Sequence, residues 1–153
     1  MDVWLFAHLL GSAMWIGGAL AGMVISIGAR EEPPEIRAGV FRLLARMHTL
    51  VIGVGALLVV TTGALLSLQL SSDGMGVMMR EPRLWVMVLA GLAGCAMVLF
   101  VGLPTAVKMG GVAVVGEDGR LLPLFEVYRK RQAVVSSVAG TLAIIALLAW
   151  KFL

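Results

Sequence analysis

The sequence predicts an all-α fold: an integral membrane four-helix bundle forming a single domain over residues 1-153. Three observations carry this. The chain has 153 residues, of which 60% are hydrophobic and 14% charged, and its mean hydropathy is +1.00. A soluble domain carries about 25% charged residues. Four apolar runs each reach the length of about 20 residues that a bilayer-crossing helix needs. Inside hydrocarbon every backbone polar group must be satisfied within its own segment, so each run is expected to be a helix.

The runs are Val3 to Ala29, Met47 to Leu70, Leu84 to Val107 and Ala133 to Trp150. The first lacks the basic leader of a cleaved signal and outruns its apolar core, so it is expected to stay as a spanning helix. Basic residues fall unevenly between the runs. Arg30, Arg37, Arg42 and Arg46 lie in the first connection, and Lys108, Arg120, Arg129, Lys130 and Arg131 in the third. The middle connection holds Arg80 and Arg83 alone. Positive-inside counting places both termini, and the Asp73 to Arg83 loop, outside the cytoplasm of a bacterial inner membrane.

Two spans are expected to begin before the bilayer does, as basic amphipathic extensions over about 34-46 and 123-132. "PPEIRAGVFRLLARMH" opens on prolines and sets Ile36, Val40 and Leu43 or Leu44 opposite arginines; "LPLFEVYRKRQ" opens on Pro123. Proline suits a first helical turn, and such extensions suit the anionic inner leaflet. A faint repeat is also present. "GSAM" at Gly11 recurs as "GCAM" at Gly94, and "GALLVV" at Gly55 as "GTLAII" at Gly140. The offsets of 83 and 85 residues fit two helical hairpins related by a pseudo-two-fold along the membrane normal.

The net charge of +3 is small and confined to the connections, which excludes nucleic acid and leaves the lipid bilayer as the partner. Cys95 is the single cysteine and forms no intrachain disulfide. No metalloprotease helix, paired-cysteine motif, nucleophile elbow or phosphate loop is present. "GGVAVVGEDG" reads as a connector. The spans contain no Asp or Glu, so a carboxylate proton relay is excluded, and with it an ion-coupled pump.

Chemistry concentrates in "WLFAHLLGSAMWIGG", Trp4 to Gly18. Helical periodicity puts Trp4, His8, Gly11, Trp15, Gly18 and Gly22 on one stripe. An imidazole beside a glycine gap offers a haem iron both a ligand and room for the macrocycle. Gly18 and Gly22 equally form a small-xxx-small crossing, and His8 equally suits a structural hydrogen bond or proton transfer. Haem b with His8 as axial ligand, accompanied by Gly11, Trp15 and Gly18, is the first expectation. The second axial position falls to Met87 at similar depth, to His8 of a second copy in a homodimer, or to no protein group. Arg80 or Arg83 would pair with haem propionates or serve as ordinary loop charges. Met75, Met78 and Met79, in the outer loop "DGMGVMMREP", supply soft sulfur suited to copper(I), so a copper-binding or copper-delivery protein using them with His8 is the alternative. A third reading is a non-catalytic assembly subunit. His48 should lie roughly 20 Å from His8 along the membrane normal and is expected to be an interfacial structural residue.

His8 followed by Trp15, Gly17 and Gly18 resembles the first-helix motif of the copper-resistance D-like membrane proteins. That group includes four-helix bacterial membrane proteins and, more distantly, membrane-bound protoporphyrinogen oxidases. The similarity extends through "RAGVFRLLARMH" and "LLVVTTGALL", about half the chain. The resemblance implies a haem b or copper-passage role for His8, with Trp15, Gly17 and Gly18 as the accompanying motif, and electron transfer would call for a redox partner protein. Lys108 is the nearest match to the third-helix lysine of the oxidases.

Overall fold

The computed structural model describes residues 3–78, 81–116 and 120–152. Four long rods form a bundle, and each is long and apolar enough to cross a bilayer. The first rod is α1, Val3–Gly28. The second joins α2 (Pro34–Met47) to α3 (Val54–Met78) through a six-residue π-helical segment, His48–Gly53. The third joins α4 (Pro82–Ala96) to α5 (Leu103–Gly111) through a second π segment, Met97–Gly102. The fourth is α6, Pro123–Phe152. The chain is a multi-pass membrane protein with an all-α bundle.

Prolines open α2, α4 and α6, where a first-turn residue needs no N–H partner and the fixed φ is already helical. The expected basic extensions are continuous with their spans, and nothing between residues 34 and 78 or between 123 and 152 breaks the helical hydrogen bonding. The expected boundaries are corrected in two places. The second helix runs eight residues past Leu70, so most of the expected outer loop is helical through Met78. The third rod covers Pro82 to Gly111 rather than 84 to 107.

The closest pairings are α1 with α3 and α4 with α6. Two seams join these hairpins, α1 beside α6 and α3 beside α4, and α1 and α4 stand on a diagonal with no close backbone approach. The same contact recurs in each hairpin. A Cβ at Gly11 would come within 2.8 Å of Leu58 Cβ, and one at Gly94 within 3.2 Å of Leu142 Cβ. The chain positions differ by 83 and 84 residues, in keeping with the repeat. Trp15, Ile52, Ala56, Cys95, Val98, Ala139 and Ala143 form the central core.

A second core closes the arginine-rich end. Phe41, Leu44 and Ala45 of α2 pack with Met109, Val114 and Phe125, and the Phe41 and Phe125 rings lie 5.3 Å apart at a tilt of 59°. Of the expected apolar side of the α2 extension Leu44 is buried, while Ile36 and Leu43 are exposed and Phe41 joins the core instead. The extension docks on protein, packing against α5 and the start of α6. The glycine-rich connector contributes to this core through an antiparallel bridge, Val115 with Leu121. Arg37 fixes the turn after α1, donating to the carbonyls of Ala29, Arg30 and Glu32 at 3.1, 2.7 and 2.9 Å.

Candidate functional site

The α1 stripe faces the bundle as its spacing predicts. Gly11, Trp15 and Gly18 are buried, while His8 is half-buried and Trp4 exposed. His8 Nδ1 lies 3.0 Å from Thr62 Oγ1. The Thr62 hydroxyl directs its proton to the Leu58 carbonyl, so it accepts from Nδ1–H. A hydroxyl has one proton, and this assignment leaves the lone pair of His8 on Nε2. Gly63 makes room for the ring, since a Cβ there would stand 3.2 Å from His8 Cε1.

The glycines below His8 do not leave an open slot. A Cβ at Gly55 would come within 2.8 Å of the Gly11 carbonyl and 2.9 Å of Trp15 N, and one at Gly18 within 2.8 Å of Ile52 Cγ1. These glycines bring two backbones together, as small residues do in membrane helix crossings. Trp15 reaches across the diagonal, its ring 2.9 Å from where a Cβ of Gly94 would be. The α1–α3 seam is thus filled, and the gap expected beside His8 is taken up by α3.

Met87 is half-buried on α4, on the opposite diagonal corner from α1, and it is not brought to His8 by any close approach of the two helices. Met75 and Met78 fall in the last turns of α3, with side chains outside the described residues. Met79 and Arg80 also lie outside them. Arg83 is exposed at the start of α4. Among the described residues no three His, Cys, Asp or Glu side chains cluster as a metal site. A porphyrin supplies four nitrogens itself, so a haem asks only one imidazole of the protein.

Sequence reasoning missed a second polar constellation, at the arginine-rich end. His48, expected as an interfacial structural residue, is buried within the bundle, 3% exposed, and Gln132 is 9% exposed. The Gln132 amide nitrogen lies 2.9 Å from His48 Nδ1 and 3.5 Å from Ser136 Oγ. Donation from the amide puts the ring proton on Nε2, which rests against Gly102 without a partner. Gln132 Oε1 and Arg129 Nε are also buried and unpartnered among the described residues. Reversing the amide merely exchanges which end of Gln132 lacks one.

These side chains line a cavity of about 420 Å³ between α1, α2 and α6. Both π segments terminate at this constellation: His48 begins one, and Gly102 ends the other. π segments inside α-helices recur at functional sites because the extra residue re-aims neighbouring side chains. The signal in the sequence was Gln132 itself, a single polar residue on the buried α6 stripe Phe125, Gln132, Val135, Ala139 and Ala143.

The fold and these two sites define a class, a small multi-pass membrane bundle with a directed imidazole at one end and a polar cavity at the other. No family model, curated protein or solved structure matches the chain.

Proposed function

We propose that the chain is a small membrane b-type haem-binding protein, with His8 as axial ligand, acting in electron transfer or haem handling. The observation that carries this reading is the 3.0 Å contact between His8 Nδ1 and Thr62 Oγ1, whose own proton is directed to the Leu58 carbonyl. An outer partner on one ring nitrogen fixes the tautomer and presents the other lone pair, as in ligating histidines generally. The bound group would supply one-electron redox chemistry at its iron. The chain's part is to hold the imidazole in one orientation and exclude the macrocycle from the filled α1–α3 seam. It follows that the macrocycle takes the side of His8 that α3 does not cover, where a second copy of the chain is the proposed covering partner.

The proposed setting is the bacterial inner membrane, with the arginine-rich end cytoplasmic and both termini outside, as the basic residues argue. A redox partner would then meet the protein at the His8 end. Copper(I) delivery through Met75, Met78 and Met79 is the alternative.

The test is an absorption spectrum of protein purified in mild detergent after expression with ample haem, oxidised and then reduced with dithionite. A Soret band that shifts on reduction and disappears in His8→Ala is the expected result. A featureless spectrum, with copper(I) retained by the wild type and lost on replacing the three methionines, would replace this reading with the copper one.

A further inference from the structure

We infer that the cavity between α1 and α6 is a binding groove for one anionic phospholipid, with its phosphate at Arg30 and Arg129 and an acyl chain running toward Ile144. The inference is independent of the haem reading. It begins with packing: α1 and α6 meet at a seam between the two hairpins and contact each other far less extensively than either contacts its own hairpin partner. The space left over is about 420 Å³, and its lining runs along α6 from Arg129 to Ile144 and along α1 from Ile16 to Ile27, with Arg30 in the turn that follows. At 1.5 Å per residue the α6 wall spans about 22 Å, the length of an extended acyl chain rather than of a compact solute.

Charge selects the head. Arg30 and Arg129 line one end of the groove, and among the described residues no Asp or Glu lines it. Glu126 engages Arg129 through Nη2 at 3.0 Å, which leaves Arg129 Nε buried and unpartnered. Its guanidinium also sits 5.9 Å above the Phe41 ring, which together with the Glu126 pair holds it at the mouth of the groove, with 26% of the side chain exposed. Basic pockets between spanning helices are the sites at which phosphate-bearing lipid heads are held.

A second observation points to a ligand one turn deeper. Gln132 is nine-tenths buried, lines the groove and has an amide atom without a protein partner. An unsatisfied polar atom in a membrane interior is costly. With the amide turned so that its oxygen accepts from His48 Nδ1–H, its NH2 faces the groove and can donate to a glycerol ester carbonyl, which lies one turn inside the phosphate of a phospholipid. Beyond it the walls include Gly140, Ile144, Ile16 and Leu20, with Ser137 and Thr141 beside them; the Thr141 hydroxyl donates to the Ser137 carbonyl, and the rest suits a hydrocarbon chain.

The test uses the full chain in mild detergent, stripped of co-purified lipid, and titrated with phosphatidylglycerol or phosphatidylcholine while native mass spectrometry counts bound molecules. One phosphatidylglycerol per chain is expected, preferred over phosphatidylcholine by about 30-fold for two arginines. Arg30→Gln with Arg129→Gln should reduce that preference to near unity, and Ser137→Phe, which fills the groove from α6, should lower occupancy by either lipid. Circular dichroism on each variant separates lost binding from lost folding. Equal affinity for the two lipids would overturn the proposal, as would a preference that survives the double arginine replacement. Displacement by millimolar inorganic phosphate would show a head-only anion site, and recovery of a neutral isoprenoid as the retained molecule would show a different ligand; either overturns it too.

Discussion

His48 Nε2 occupies the space that Gly102 leaves by having no side chain: a Cβ at position 102 would come within 2.7 Å of it. The ring is pinned from the other side by Gln132, so it has no easy way to retreat. The contact also joins the two π segments, at the first residue of one and the last residue of the other. Gly102→Ala should therefore destabilise the bundle by about 1–3 kcal/mol, the range for overpacking a filled interior. His48→Ala removes the obstacle, so the double variant should be less destabilised than the sum of the two singles. Unfolding in mixed micelles measures all three, and simple additivity would mean that the two residues do not touch.

Adjacent glycines of the "WIGG" motif have different neighbours. A Cβ at Gly18 would meet Ile52 Cγ1 at 2.8 Å, whereas Gly17 has nothing within 4 Å. Gly17→Ala is expected to be neutral or to stabilise by up to about 1 kcal/mol, the helical preference of alanine over glycine. Gly18→Ala should cost stability unless Ile52 rotates away, and Ile52→Ala in the same chain should relieve it. Comparing midpoints in the same unfolding assay checks the pair. If Gly17→Ala instead abolished function while leaving stability intact, a partner or ligand would have to cover that open face.

Much of the fold was legible because bilayer length and helical period act locally. The four rods and the buried stripe through Gly11, Trp15 and Gly18 follow from spacing alone. The continuation of α3 through Met78 was not legible, since "SSDGMGV" carries glycines and an aspartate that read as a loop, yet the helix persists over them. The burial of Phe41 and the exposure of Ile36 depended on which elements the extension meets; of the alternatives Leu43 and Leu44, it is Leu44 that is buried. The burial of His48 within the bundle was not legible for the same reason, since α6 covers it through Gln132. Its partner Gln132 is 84 residues away, and no local pattern links them.

The Thr62 hydroxyl orients His8, so its removal should be felt by anything His8 ligates. Thr62→Val keeps the volume and deletes the acceptor for Nδ1–H. Under the haem reading this variant should retain a Soret band but bind haem about 10–100-fold more weakly, as loss of outer partners does at metal sites. Thr62→Ser should restore binding toward the wild-type value. Haem titration of apoprotein, followed by its absorbance, supplies the numbers. Wild-type affinity in Thr62→Val would mean that the hydrogen bond serves packing and not ligation.

Arg37 offers a test that involves no ligand. Its guanidinium spans three carbonyls at the end of α1 and in the turn that follows, those of Ala29, Arg30 and Glu32. Carbonyls at a helix C-terminus have no intrahelical donors, and a cation there is favoured by the helix dipole as well. Lysine keeps the charge but replaces a planar fork with one rotatable ammonium, which cannot reach the same three acceptors together. Arg37→Lys should therefore lose much of what Arg37→Ala loses, roughly 1–3 kcal/mol if hydrogen bonds to a charged group dominate. The readout is hydrogen exchange at the amides of residues 29–37, which should quicken in both variants while the α4–α6 hairpin keeps its protection. Full protection in Arg37→Lys would assign the effect to charge alone, and the fork geometry would then be incidental.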